Sequence, residues 1–229
     1  MSGSTTAKPP SRGRIDKRQA ILSGAFTVFA RRGYARACVV EIAEVAGVAK
    51  HTVYNHLGDK ESLFRSAMET AADEVAARTL AVVELLSVDA GAPPRNGSPA
   101  KDLSAPLEDL AYRLLLRCGD EQSTALRRLL HAEIARFPEL LDIALGPRAN
   151  RAAEVLADRL ARLALSGRLR HCDPEEAAEQ FLALLTGPFE SRSRFGTRAV
   201  PDTELRGLAR SAVRTFLAAY GASATGPAS

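Results

Sequence analysis

Tryptophan is absent from the 229 residues, aromatics make up only 5%, and cysteine occurs three times. Cys38, Cys118 and Cys172 are scattered with no CxxC spacing, which argues against a disulfide framework or a cysteine zinc site. No apolar run approaches the roughly 18–20 residues that span a bilayer, and no secretory signal is recognisable. The expectation is a cytoplasmic chain with reduced thiols and no membrane partner. Also missing are GxSxG, a Walker loop, a strand-following GxGxxG and HExxH. With no polar cluster suited to catalysis, the chain is expected to be no enzyme and to need no cofactor. Long β-branched runs are rare, while Ala and Leu dominate, so an all-α protein is expected.

Apolar residues at 46% supply enough material for a core. The net charge of +4 is unevenly placed. Residues 1–62 hold ten Lys/Arg against five Asp/Glu, and the remaining residues hold twenty-one against twenty-two. That asymmetry suits a head for a polyanion joined to a neutral body.

Along the chain, residues 1–13 read as a flexible basic arm and 221–229 as a flexible tail. A first helix is expected to start at an N-cap, Asp16, to repeat apolar residues at Ile21, Leu22, Ala25, Phe26 and Phe29, and to stop at Gly33. Two short helices around Ala46-Gly47-Val48 complete a head over 14–62. Asp59 is placed to cap a long fourth helix, and the Gly/Pro/Ser-rich stretch 88–103 reads as a loop. Further helices bring the total to about nine in a body over 63–220. Among them, one opens at Asp173-Pro174-Glu175-Glu176 and is expected to end at Gly187-Pro188, and the last runs over 202–220.

Two short helices joined by a tight turn with Gly47 form a helix-turn-helix, whose second helix can enter a major groove. Val53 and Leu57, four apart, are expected to point inward toward Ile42, Val45 and the first helix. That turns His51 and Asn55 outward, with Thr52 and Tyr54 beside them and Lys50 and His56 at the edge. Asn pairs with adenine, Thr reads a base or a thymine methyl, and Tyr and Lys hold phosphates. Lys60, at the start of the fourth helix, adds a cation to a helix end that favours anions.

The segments RQAILSGAFTVFARRGY and VVEIAEVAGVAKHTVYNHLGDKESLF resemble the DNA-binding domain of TetR-family regulators. AEIARFPELL and GRLRHCDPEEAAEQFLALLTG are similar to AefR-like regulatory domains within that family. The resemblance implies a three-helix DNA-binding head, a ligand-binding and dimerisation body, and a homodimer formed by the last two long helices. It further implies a repressor released from a palindromic double-stranded operator by a small-molecule effector. Lys50, His51, Thr52, Tyr54, His56 and Lys60 align with the family's DNA-contacting positions; Asn55 is added by its helical position. Four residues depart from the pattern: Cys38 and Ala49 stand where caps are usual, Leu57 where Phe is common, and His51 where a small residue is common. Glu41 of the first capping box is kept.

Other readings are blander. His51 and His56 are badly spaced for one metal, so no metal is expected. Cys38 is expected to be buried or half-buried and inert, and Arg127-Arg128 and Arg168/Arg170 to be solvated charges. Glu175 and Glu176 read as helix-start chemistry rather than a catalytic pair.

Overall fold

The computed structural model describes residues 12–86 and 103–222. Among the described residues there is no strand, and ten α-helices follow one another. They are α1 (Arg12–Arg36), α2 (Val39–Val45), α3 (Lys50–Leu57), α4 (Lys60–Glu84) and α5 (Ser104–Gly119). Then come α6 (Glu121–Glu133), α7 (Leu140–Leu145), α8 (Pro147–Leu165), α9 (Pro174–Arg192) and α10 (Asp202–Tyr220). Nine correspond to expected segments. The tenth, α7, has six residues and is too short to show a period. The arm up to residue 11, the loop from 87 to 102 and the tail from 223 lie outside the described residues.

The chain packs as two compact units. One holds the described residues up to Ala71 together with Leu129–Leu140; the other holds Ala72–Arg128 and the residues from Leu141 onward.

In the first unit, Ile21, Leu22, Ala25, Phe26 and Phe29 are all buried, as their spacing requires. The helix begins at Arg12, so Asp16 lies inside it and is not its cap. Gly33 does break the helix: φ 74° and ψ 165° are open to glycine and strained for other residues. The chain then drops Tyr34 into an aromatic cluster. Its ring centroid lies 5.0 Å from that of Phe64 and 4.8 Å from that of Phe137, and Phe29 lies 4.9 Å from Phe64. Tyr34 N–H donates to Glu133 Oε1 at 3.2 Å. Phe137 and Glu133 come from the distant Leu129–Leu140 segment, a long-range pairing that no local pattern announces.

The second unit encloses a core in which Leu107, Leu115, Leu156, Leu160, Phe181, Leu185, Phe189 and Phe216 are nearly inaccessible. Asp173 caps α9, accepting from the N–H groups of Glu175 and Glu176 at 2.9 and 3.3 Å. Contrary to the stop expected at Gly187-Pro188, α9 continues to Arg192. Pro188 removes one helical hydrogen bond. Gly187, lacking Cβ, avoids the clash a side chain before proline would meet. Leu185 and Phe189 are buried on either side, and Glu190 pairs with Arg127 at 2.8 Å. Packing therefore outweighs the local break. Arg127 is thus no solvated charge: it also donates to the Cys118 carbonyl at 2.8 Å and lies 5.6 Å from the Phe189 ring centroid.

Candidate nucleic-acid interface

The outward face of α3 is fixed by what holds its inward face. Val53 is 2% exposed and Leu57 9%, both in the core with Val39, Ile42 and Ala43. Val45, expected in that core, is 47% exposed, because it falls at the last position of α2 beside the turn. The turn itself is set by Gly47 at φ 65°, with Gly47 N–H donating to the Glu44 carbonyl and Val48 N–H to that of Ala43.

The structure brings six of the seven candidate residues onto α3 and the seventh to the first position of α4. Lys50, His51, Tyr54 and Asn55 are exposed; Thr52, His56 and Lys60 are half-buried. No carboxylate lies on α3 to neutralise them. Lys50 Nζ reaches toward the Tyr54 ring, 5.9 Å from its centroid, which keeps a cation beside a phenol on the same face.

Lys60 is more tied than the sequence suggests. Its ammonium donates to the Ala35 carbonyl at 3.2 Å and sits 4.8 Å from the Tyr34 ring centroid. Arg136 approaches the same ring at 4.6 Å, a basic neighbour invisible to local sequence reading because it arrives with the Leu129–Leu140 segment. At the start of α4, the Asp59 carboxylate accepts from Ser62 N–H at 2.7 Å. Bonds from the Ser62 backbone and then its hydroxyl hold the Asp59 carboxyl below its ordinary pKa. That helix end is therefore already served by an anion of the chain, and any phosphate there is left mainly to the Lys60 side chain.

Neither α2 nor α3 has a side-chain cap: Cys38 and Ala49 both sit at N-cap in extended conformation with no capping bond. Glu41 does not complete a capping box. Its carboxylate instead takes Arg31 at 2.5 Å and Arg32 at 3.4 Å, tying α2 to α1. Cys38 is exposed rather than buried, while burial pushes the Cys118 and Cys172 thiols up. Replacing Ala49 by Ser or Thr is expected to raise the stability of the head by about 0.5–2 kcal/mol. A denaturant melt followed by far-UV circular dichroism checks this; an unchanged midpoint would mean that water serves those N–H groups as well as a hydroxyl does.

Among the described residues no group of His, Cys, Asp and Glu is arranged to hold a metal ion, and no helix is long and apolar enough to cross a membrane.

A helix-turn-helix whose second helix exposes a polar face is shared with a known family. Residues 21–67 match the model of bacterial regulatory proteins of the tetR family, and residues 105–222 match the C-terminal domain of AefR-like transcriptional repressors. The chain belongs to the TetR family. It is a DNA-binding transcriptional regulator, not an enzyme. A curated relative, the HTH-type transcriptional repressor AcnR of Corynebacterium efficiens, is 30% identical over 93% of this chain and 98% of its own. A TetR-family regulator structure from Mesorhizobium loti is 30% identical with a TM-score of 0.78, covering 93% of this chain and all of that one. The flavonoid-responsive regulator FrrA is 26% identical with a TM-score of 0.58, over 91% of this chain and 98% of its own.

Proposed function

We propose that the chain is a repressor that binds a palindromic operator as a homodimer in the cytoplasm and leaves it when a small molecule enters the body. The observation that carries the reading is the outward row of α3. Val53 and Leu57 anchor one side, so His51, Thr52 and Asn55 are the side chains placed to choose bases. Lys50, Tyr54, His56 and Lys60 flank them as phosphate contacts. Two copies joined through the last two long helices, α9 and α10, would present two such faces, and a two-fold protein matches a two-fold operator.

For the effector, the body offers a core of Leu, Ala and Phe with a half-buried polar pair at its margin, Arg127 and Glu190. Glu190 leaves Oε2 buried with no hydrogen-bond partner, an acceptor that a ligand's hydroxyl or amine could serve. That combination suits an amphipathic molecule. The neighbour FrrA, named as flavonoid-responsive, supports a small organic effector.

The deciding experiment is a gel shift with the DNA upstream of the chain's own gene. A specific complex that survives competitor DNA, and that a compound found by thermal shift dissolves, is the expected result. Binding with no preference over competitor would instead describe a DNA-coating protein with the same fold.

A further inference from the structure

Two of the four histidines stand on the recognition helix, His51 near the start of α3 and His56 in its last turn. Imidazole is the side chain whose charge ordinarily changes between about pH 5 and 8. Among the described residues, neither ring has a hydrogen bond, an ion pair or a ring contact. With Val53 and Leu57 turned inward, His51 falls on the outer side of α3, exposed, and His56 on its edge, half-buried.

The charged groups around the two rings are already committed or cationic. On α3 itself stand Lys50 and Tyr54, and no carboxylate. The helix packed against it, α2, brings Glu41 and Glu44. Glu41 is held by Arg31 and Arg32 of α1, and Glu44 is exposed beside the turn. Past Gly58, Asp59 accepts from Ser62 N–H, Glu61 pairs with Arg65, and Lys60 donates to the Ala35 carbonyl. Carboxylates, lysine and arginine keep their charges between about pH 6 and 7.5, and a thiol such as the exposed Cys38 ordinarily ionises above that range. On the helix-turn-helix, the two imidazoles are the groups that change charge there.

We propose that the recognition helix takes up protons as it binds DNA, so that affinity falls as pH rises through the imidazole range. This rests on the assignment of α3 to the groove and adds a control on that contact. His56, placed against phosphate, gains a full charge on protonation, and a polyanion favours the charged form. The carbonyl end of α3, where His56 stands, favours a cation as well. His51, placed toward the bases, changes from a ring with one donor and one acceptor to a ring that only donates. Such a ring suits an edge that only accepts, as guanine N7 and O6 do. A group that holds its proton more tightly with DNA than without it contributes affinity at low pH. That contribution is lost as pH rises through the bound-state value. The His56 share is common to all sequences, and the His51 share is confined to sites that offer an accepting edge.

The full chain is titrated onto two labelled duplexes, one from the DNA upstream of its own gene and one of scrambled sequence. Fluorescence anisotropy at about pH 6 and 7.5, with ionic strength fixed, gives the affinities. Binding to both is expected to weaken about tenfold over that range. His56→Gln should flatten the dependence for both duplexes, and His51→Gln only the part by which the two differ. His171→Gln, in the other unit, should keep the wild-type slope. Calorimetry in two buffers of unlike ionisation enthalpy counts the protons that wild type takes up, which requires no variant to fold. Zero uptake, or a His51→Gln/His56→Gln double variant that keeps the wild-type slope, overturns the proposal. Equal binding to both duplexes at every pH overturns the operator reading instead, and the His56 share is then still read on either duplex.

Discussion

Tyr54→Ala and Lys60→Gln are expected to weaken binding to every DNA sequence alike, whereas Asn55→Ala and His51→Ala should change which sequence is bound. The distinction follows from what each group can touch. A phosphate contact carries no sequence information, so its loss lowers specific and non-specific affinity together. Removing Lys60 should reduce the slope of log K against log salt by about 1 for each protomer's contact. Asn55 and His51 stand on the exposed side of α3, opposite Val53 and Leu57. Losing a bidentate pair with a base costs about 1–3 kcal/mol at that position and relaxes the preference there. Gel shifts against an operator and its single-base variants, at two salt concentrations, separate the two classes. If all four variants bind as wild type does, a different face of α3 meets the groove.

Phe64→Ala should be the most damaging single change to the head. Phe64 is fully inaccessible and lies 4.9, 5.0 and 5.2 Å by ring centroid from Phe29, Tyr34 and Phe137. Truncating a buried phenylalanine to alanine costs about 3–5 kcal/mol. A typical domain has only about 5–15 kcal/mol in all. The expected result is an early transition in a denaturant melt followed by circular dichroism, with operator binding lost at temperatures where wild type binds. Phe64→Leu, which fills more of the space, should recover most of the loss. A variant losing less than about 1 kcal/mol would mean that the cluster collapses around the gap.

How much of this was legible in the sequence depends on the range of the interaction. Gly33, Gly47, Asp59 and Asp173 act within a few residues, and each does what its type and place suggest. The inward pair Val53 and Leu57 followed from the helical period alone. Expectations failed where a distant partner intervened. Glu41 meets Arg31 and Arg32 on another helix and abandons its capping box. Pro188 is carried within α9 by the buried side chains around it, and Arg127 finds Glu190 across the unit. Val45 and Cys38 show the converse: apolar character did not secure burial at the ends of a seven-residue helix. Lys60 opens α4 as its place after Asp59 suggests, but its bond to the Ala35 carbonyl and its seat on Tyr34 depend on how the chain folds back on itself.

The inclusion of Leu129–Leu140 in the first unit bears on how this protein can be recombined. The head is not a contiguous cassette. A fragment ending at Ala71 would part Tyr34 N–H from Glu133, strip Phe137 from the rings of Tyr34 and Phe64 and leave Arg65 without Glu139. Anyone grafting this DNA specificity onto another regulator must carry two stretches of chain together, or choose a recipient whose own segment supplies an aromatic and a carboxylate in the same places.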